Sequence, residues 1–314
     1  MPAVSSVPLK KLTSGQTIPA IGLGTFAGSQ LENTVSTALE IGYTLFDTAW
    51  VYRNEVDVGK VIRKKIEEGV IKREDVIIIS KLWNTKHRPT EVLPAIKRSL
   101  ADLGLDYIDM YLIHWPFACK PAANEYELLD FQEDDVRLED TWKAMEELVR
   151  LGLTKSIGLS NFNSSQVQRI LNIAEIKPVV NQVECNPYIN QKKLIKFCNE
   201  RNIEVIAYAP FWTPSSPWID KNVPSVFSQP IVNDLALKYK KQPGQIILRY
   251  LTQLGAIPIP KSDHPERLRQ NFEIFDFQLS AEDMSKMDEL NMNKRSCPFE
   301  PARKFKEYPF GSEY

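Results

Sequence analysis

Of the 314 residues, only four are cysteine and three are histidine. Cys119, Cys185, Cys198 and Cys297 are scattered without CxxC spacing, so a disulfide framework or a structural zinc site has little to build on, and no metal is expected. Charge of one sign is lacking too. Lys plus Arg total 39 against 40 for Asp plus Glu, a net charge of −1, which removes any general attraction to nucleic acid or an anionic membrane. The N-terminal MPAVSSVPLKK has no apolar core of the signal-peptide kind, and no run approaches the ~18 apolar residues of a membrane span. A cytoplasmic chain with reduced thiols is the expectation.

What is present is a rhythm. Short apolar, β-branched runs recur, each followed by a turn and a longer stretch of helical periodicity. PAIGLGTF, YTLFDTA, DVIIISKL, YIDMYLIHW, KSIGLSN, PVVNQVECN, EVIAYAP and AIPIPKS read as eight strands. EVDVGKVIRKKIEEG, TEVLPAIKRSLADLG, TWKAMEELVRLG, SSQVQRILNIAE and QKKLIKFCNERN read as helices between them, most ending at Gly or Asn. Strict alternation implies a parallel sheet covered by helices, and eight strands in one chain fit a (β/α)8 barrel spanning residues 1–314 as a single domain. A doubly wound open sheet is the competitor, but GLGTF is not the GxGxxG loop such sheets place after their first strand. The irregular segments 117–136, 212–228 and the tail after Asn291 would gather at one mouth as long loops, where such barrels hold their chemistry.

The strand ends carry that chemistry. Asp47 ends the second strand with Tyr52 just beyond, Lys81 ends the third and His114 the fourth. Ser160 and Asn161, then Gln182, Tyr208, and finally Lys261 with Ser262 follow on the remaining strands. A phenol holds its proton at neutral pH, with a pKa near ~10, and a nearby ammonium eases its release by ~1–3 units. Lys81 can supply that charge, Asp47 can hold Lys81 protonated, and His114 can position a carbonyl oxygen. A positioned proton donor of this kind is worth roughly 10²–10⁴ in rate. Any one of these residues alone is more often a cap or a solvated group.

Taken together they resemble the aldo-keto reductase family, aldose reductase-like members included, through nearly the whole chain. FDTAWVYRNEVDVG, KLW at 81–83 and LGLDYIDMYLIHWP at 103–116 look like its Asp/Tyr, Lys and His motifs. GLSNF at 158–162, Gln182 and Asn186 of NQVECNP, and IPIPKSDHPERLRQNF at 257–272 look like its cofactor-binding segments. The resemblance implies the barrel, with SVPLKKLTSGQTIP as a small hairpin plugging its far end, and NADPH bound without a Rossmann domain. It implies reduction of aldehydes or ketones to alcohols, with Asp47, Tyr52, Lys81 and His114 as a catalytic tetrad and Tyr52 as general acid. It also implies a monomer. For NADPH it implies Thr25 and Asp47 near the nicotinamide ribose, Ser160, Asn161 and Gln182 on the carboxamide, and Tyr208 stacked on the ring. Pro210 and Phe211 would open the loop over the pyrophosphate; Lys261, Ser262, Arg267, Gln270 and Asn271 would meet the adenosine end. The two cations suit a 2′-phosphate.

Departures from the family pattern concern the substrate. Phe26 stands where the aldose reductase-like subgroup often has Trp, and YAPFWTPSSPW replaces the commoner run after strand seven. Trp83 and Trp115 match aromatic pocket walls, Trp50 and Phe117 are expected to extend them, and Cys297 falls in the expected specificity segment as an inert thiol. Trp142 reads as core, and Asn54 and Glu55 mainly as the start of a helix. Two alternatives stay open: an NADPH-binding regulatory or structural protein with little turnover, and a barrel aldolase using Lys81 as a Schiff base.

Overall fold

The alternating runs become a ring of parallel strands in the computed structural model, which describes residues 7–121, 132–213 and 219–311. Strands β1 (Leu9–Lys11) and β2 (Thr17–Pro19) form an antiparallel hairpin. Eight parallel strands follow: β3 (Leu23–Gly24), β4 (Leu45–Asp47), β5 (Ile77–Leu82), β6 (Ile108–Ile113), β7 (Thr154–Ser160), β8 (Val180–Glu184), β9 (Glu204–Tyr208) and β10 (Ala256–Pro258). Each pairs with its neighbours in chain order from β3 to β10. Gly22 and Gly24 then donate backbone hydrogen bonds to the carbonyls of Pro258 and Pro260 (both 3.1 Å), which brings the two ends of the sheet together and closes the barrel. The expected (β/α)8 fold is therefore present.

The helices are α1 (Leu31–Ile41), α2 (Glu55–Glu67), α3 (Pro89–Leu103), α4 (Leu138–Arg150), α5 (Ser164–Ile173), α6 (Lys192–Asn199), α7 (Pro230–Tyr239), α8 (Pro243–Leu254), α9 (Pro265–Phe272) and α10 (Ala281–Asp288). Gly42, Gly104 and Gly255 end α1, α3 and α8 in the left-handed conformation that glycine adopts without steric cost. Helix α2 and α3 pack closely at Gly59, where an added Cβ would collide with the Leu103 carbonyl.

Period-two patterning decides which residues face the barrel interior. In IIISKL of β5, Ile78 and Leu82 join the layer between sheet and helices, whereas Ile79 joins the interior cluster and Lys81 follows it two residues on. The same alternation sends Leu45 and then Asp47, Met110, Leu112 and then His114, and Val180 and then Gln182 and Glu184 inward. Apolar side chains thus fill the lower barrel, each contributing about 1.5–3 kcal/mol by burial, and polar ones follow at the C-terminal ends. Leu12 and Ile18 of the hairpin complete the apolar interior cluster. Lys10 Nζ ties the hairpin to Glu204 (2.6 Å) and to the Gly255 carbonyl (2.7 Å), plugging the N-terminal end as expected. Trp142 is fully buried core, its indole N–H donating to the Ile176 carbonyl. Among the described residues, no helix is long and apolar enough to cross a membrane.

Candidate active site

Strand ends bring Asp47, Lys81, His114, Ser160, Asn161, Gln182 and Tyr208 to one mouth, and the turn after β4 adds Tyr52. That turn is a single 3-10 turn, Trp50–Tyr52, ended by Arg53 at φ +57°; it returns the chain to α2 and leaves the Tyr52 ring over the strand ends. Lys81 is sealed from water, and its ammonium donates to Asp47 Oδ1 (2.7 Å), Asp47 Oδ2 (2.8 Å) and the Thr48 carbonyl (2.9 Å). Its three protons therefore have three acceptors. The ammonium lies 4.9 Å from the centre of the Tyr52 ring. His114 approaches Tyr52 edge-on at 5.7 Å between ring centres and makes a second edge-on contact with Trp83 at 5.2 Å.

A network around Asp47 fixes this geometry. Gln182 Nε2 donates to Asp47 Oδ2 (2.7 Å), and the Thr25 hydroxyl donates to the Asp47 carbonyl (2.8 Å). Asn54 is more than a helix start: its amide donates to Thr25 while its carbonyl oxygen accepts from the Thr48 hydroxyl (2.6 Å), tying the ends of β3 and β4 together. Asn161, in the left-handed conformation at φ +63°, donates to the His114 carbonyl (3.0 Å) and the Ser160 hydroxyl (3.2 Å), and accepts from the Tyr208 hydroxyl (2.7 Å).

The electrostatics differ from the simple expectation that Lys81 lowers the Tyr52 pKa. Burial, then the Asp47 charge and the nearby Cys297, hold the phenol well above its ordinary value. The Lys81 charge is offset by the carboxylate it grips. Burial draws the Lys81 ammonium down against the opposing pull of Asp47. Burial, reinforced by Lys81 and His87, pushes His114 well below the ordinary imidazole range, so its ring is neutral at physiological pH. The mouth thus holds a protonated phenol, a paired ammonium and a neutral imidazole.

An aromatic wall rises beside this group. Trp50, Trp83, Trp115 and Phe117 form one buried cluster, and Phe26 sits exposed beside it with its ring 5.0 Å from Tyr52. The C-terminal tail supplies members that sequence reasoning missed. Phe299 lies 5.0 Å from Trp115 and 5.4 Å from Phe117, while Phe305 packs on Phe117 (5.7 Å) and Phe310 on Trp115 (5.8 Å). The RSCPFEP motif held that signal two residues past Cys297. Glu184 was missed as well. This buried carboxylate accepts the Ser296 N–H (2.7 Å), the Ser296 hydroxyl (2.6 Å) and the Cys297 N–H (3.0 Å), fastening the tail to the strand that carries Gln182. The four cysteines form no disulfide, and Cys297 is half-buried.

The residues expected at an adenosine end follow β10. Ser262 is buried and its hydroxyl accepts the His264 N–H (3.2 Å). Arg267 is exposed on α9, Gln270 donates to Glu266 (3.0 Å), and Asn271 is buried. Lys261 donates to Asp263 (2.7 Å), an acid the sequence reading passed over. Pro210 is buried just past β9, and Phe211 packs on Phe227 at 5.2 Å. The remainder of YAPFWTPSSPW, residues 214–218, and part of the 117–136 segment, residues 122–131, lie outside the described residues.

Comparison with known proteins agrees with this picture. The sequence profile described as the Aldo/keto reductase family matches residues 15–292. The chain is 46% identical over 290 residues to aldo-keto reductase family 1 member A1 of Gallus gallus, covering 90% of this chain and 89% of that protein. It is 44% identical over 314 residues to aldo-keto reductase family 1 member D1 of Mus musculus, covering 96% and 97%. Its fold is similar to the crystal structure of a Bombyx mori aldo-keto reductase in complex with NADP, with a TM-score of 0.90, 40% identity, and coverage of 97% of this chain and 99% of that one. A profile match over most of the chain, relatives similar along nearly their whole length and a shared barrel lead to one conclusion: this chain belongs to the aldo/keto reductase family.

Proposed function

We propose that this protein reduces aldehydes or ketones to alcohols with NADPH, as an NADP-dependent oxidoreductase acting on CH–OH groups. The observation that carries the reading is the Asp47–Lys81–Tyr52–His114 group at the barrel mouth, beneath an aromatic wall. NADPH, when bound, supplies the hydride. The side chains fit such a cofactor: the amides of Asn161 and Gln182 converge from neighbouring strands and retain hydrogen-bonding capacity for a carboxamide. Ser160 lies beside them, Tyr208 offers a ring face, and Lys261 and Arg267 bring positive charge to the β10–α9 connection.

The residues divide the work. Tyr52 keeps its proton across the neutral range, because burial and Asp47 disfavour the phenolate, and gives it to the carbonyl oxygen as negative charge builds there. The Lys81 ammonium, 4.9 Å from the ring, stabilises the phenolate left behind, and Asp47 keeps that ammonium charged and aimed. Neutral His114 offers one N–H to the same carbonyl oxygen, placing it for proton transfer. The aromatic cluster favours carbonyl compounds with apolar or mixed bodies, since such walls bind area rather than individual polar groups.

The test is oxidation of NADPH, followed by its absorbance, with a broad panel of aldehydes and ketones. Turnover of several members is expected; no turnover with intact NADPH binding would instead mark a cofactor-binding protein without catalysis.

A further inference from the structure

The 2′-phosphate of NADPH carries nearly two negative charges, and recognising it calls for cations free to meet it. Lys261, one of two cations proposed for that role, is already engaged. Its ammonium donates to Asp263 Oδ2 at 2.7 Å, two residues along the same connection. Asp263 is itself held from three further directions. The Ser29 hydroxyl (3.1 Å) and backbone N–H (3.4 Å) donate to Oδ2, and the Thr34 hydroxyl (3.2 Å) donates to Oδ1. These donors come from the β3–α1 connection and α1, so the carboxylate is pinned between two segments and cannot swing away from Lys261 without losing them. Burial would push this carboxyl up, but Lys261 and Ser29 outweigh it and keep it below the usual carboxylate range, hence ionised.

From this geometry we infer that Asp263 is a cofactor-specificity residue, which weakens the grip on a 2′-phosphate and lets the adenosine end accept NADH as well as NADPH. The inference rests on the proposed NADP-dependent reading of the site. Its chemistry is asymmetric between the two cofactors. A 2′-phosphate must compete with Asp263 for Lys261 and is repelled by the carboxylate. A ribose 2′-hydroxyl is neutral and offers a donor that a carboxylate accepts. The same fixed acid therefore penalises one dinucleotide and not the other.

Equilibrium binding reads this directly, by quenching of the protein's tryptophan fluorescence with NADPH and NADH, and by calorimetry with 2′,5′-ADP and 5′-ADP. Asp263→Asn keeps the shape and removes the charge. It should tighten NADPH and 2′,5′-ADP about tenfold, the scale of one pKa unit for a like charge at close range, while NADH and 5′-ADP stay within twofold or weaken. Unchanged NADPH affinity, or an equal shift for both cofactors, would overturn the inference. The double variant S29A/T34V loosens the tether and keeps the charge, so its NADPH-to-NADH ratio should stay within twofold of the parent; a ratio matching Asp263→Asn would assign the effect to loop position and overturn the role of charge. Lys261→Met tests the underlying reading separately. It should weaken NADPH far more than NADH, and equal affinities before and after would sink the assignment of the adenosine end itself.

Discussion

Asp47 and Asp109 are both nearly sealed carboxylates facing cations, one at the C-terminal end of β4 and the other near the start of β6. At the β6 end, Asp109 accepts from Arg73 (2.7 Å), Lys155 (3.0 Å) and the Ile78 N–H (3.0 Å); both cations lie against the Tyr107 ring, and Lys155 reaches solvent. At the β4 end the cation is as deeply sealed as the acid, and it sits beside a phenol and an imidazole whose protonation burial has displaced in opposite directions. The first arrangement lets water share the cost of charge and joins β5, β6 and β7. The second denies that help and, in the proposed reading, leaves the phenol to give its proton to a bound carbonyl that the neutral imidazole positions. A buried ion pair is structural or chemical according to what surrounds it.

Separating chemistry from stability is the sharpest way to break the comparison. Tyr52→Phe should lower kcat by roughly 10²–10⁴ while NADPH binding and the urea midpoint stay near those of the parent. Loss of binding and stability together would show that the ring holds the fold. Asp109→Asn should do the reverse, costing about 2–3 kcal/mol in urea unfolding with kcat within twofold; the figure lies at or below the usual cost of breaking a buried pair because Lys155 is well exposed.

A third carboxyl sharpens the contrast through pH. Glu55 opens α2, accepts from the Ser80 hydroxyl (2.5 Å), and is pushed by burial up to about 7, with Ser80 and Ser99 opposing and Asp102 adding. Between an unfolded pKa of about 4.3 and this folded value, the native state holds a proton that the unfolded state has released. Stability from this group is therefore full below the lower value and is lost as pH rises through the upper one. Glu55→Gln should remove that loss, making the variant more stable than the parent by about 3–4 kcal/mol above pH 7 and equal to it near pH 4, by thermal unfolding at both pH values. A pH-independent difference would count against the titration.

The smallest expected effect concerns the tail. Glu184→Gln puts an amide where the carboxylate accepts the Ser296 and Cys297 donors, leaving at least one buried donor unmet at a cost of about 1–3 kcal/mol. The KM for bulky carbonyl substrates should rise about tenfold with kcat for a small aldehyde unchanged, and hydrogen exchange across 295–310 should quicken.

Much of this was legible in the chain. Eight apolar runs each became a strand, because a fully buried parallel strand is an apolar run bounded by turns. Asp47, Tyr52, Lys81 and His114 met because each ends its strand, or follows one, on the same side of the sheet. Phe299, Glu184 and Asp263 were not legible as partners. Phe299 lies in a tail without periodicity, and its role appears only where that tail folds back on Trp115 and Phe117. Glu184 contacts residues more than a hundred positions away, and Asp263 more than two hundred.

The sequence by itself determined the strand and helix alternation, the inward face of each strand and the order of functional groups around the mouth, since these follow from period two, period 3.6 and chain direction. Only the tertiary structure decided the ionisation of those groups and the company they keep. That Tyr52 is held protonated, that Lys81 spends its charge on Asp47 and that Lys261 is already paired with Asp263 depend on burial and on distances across the barrel. Local sequence carries neither.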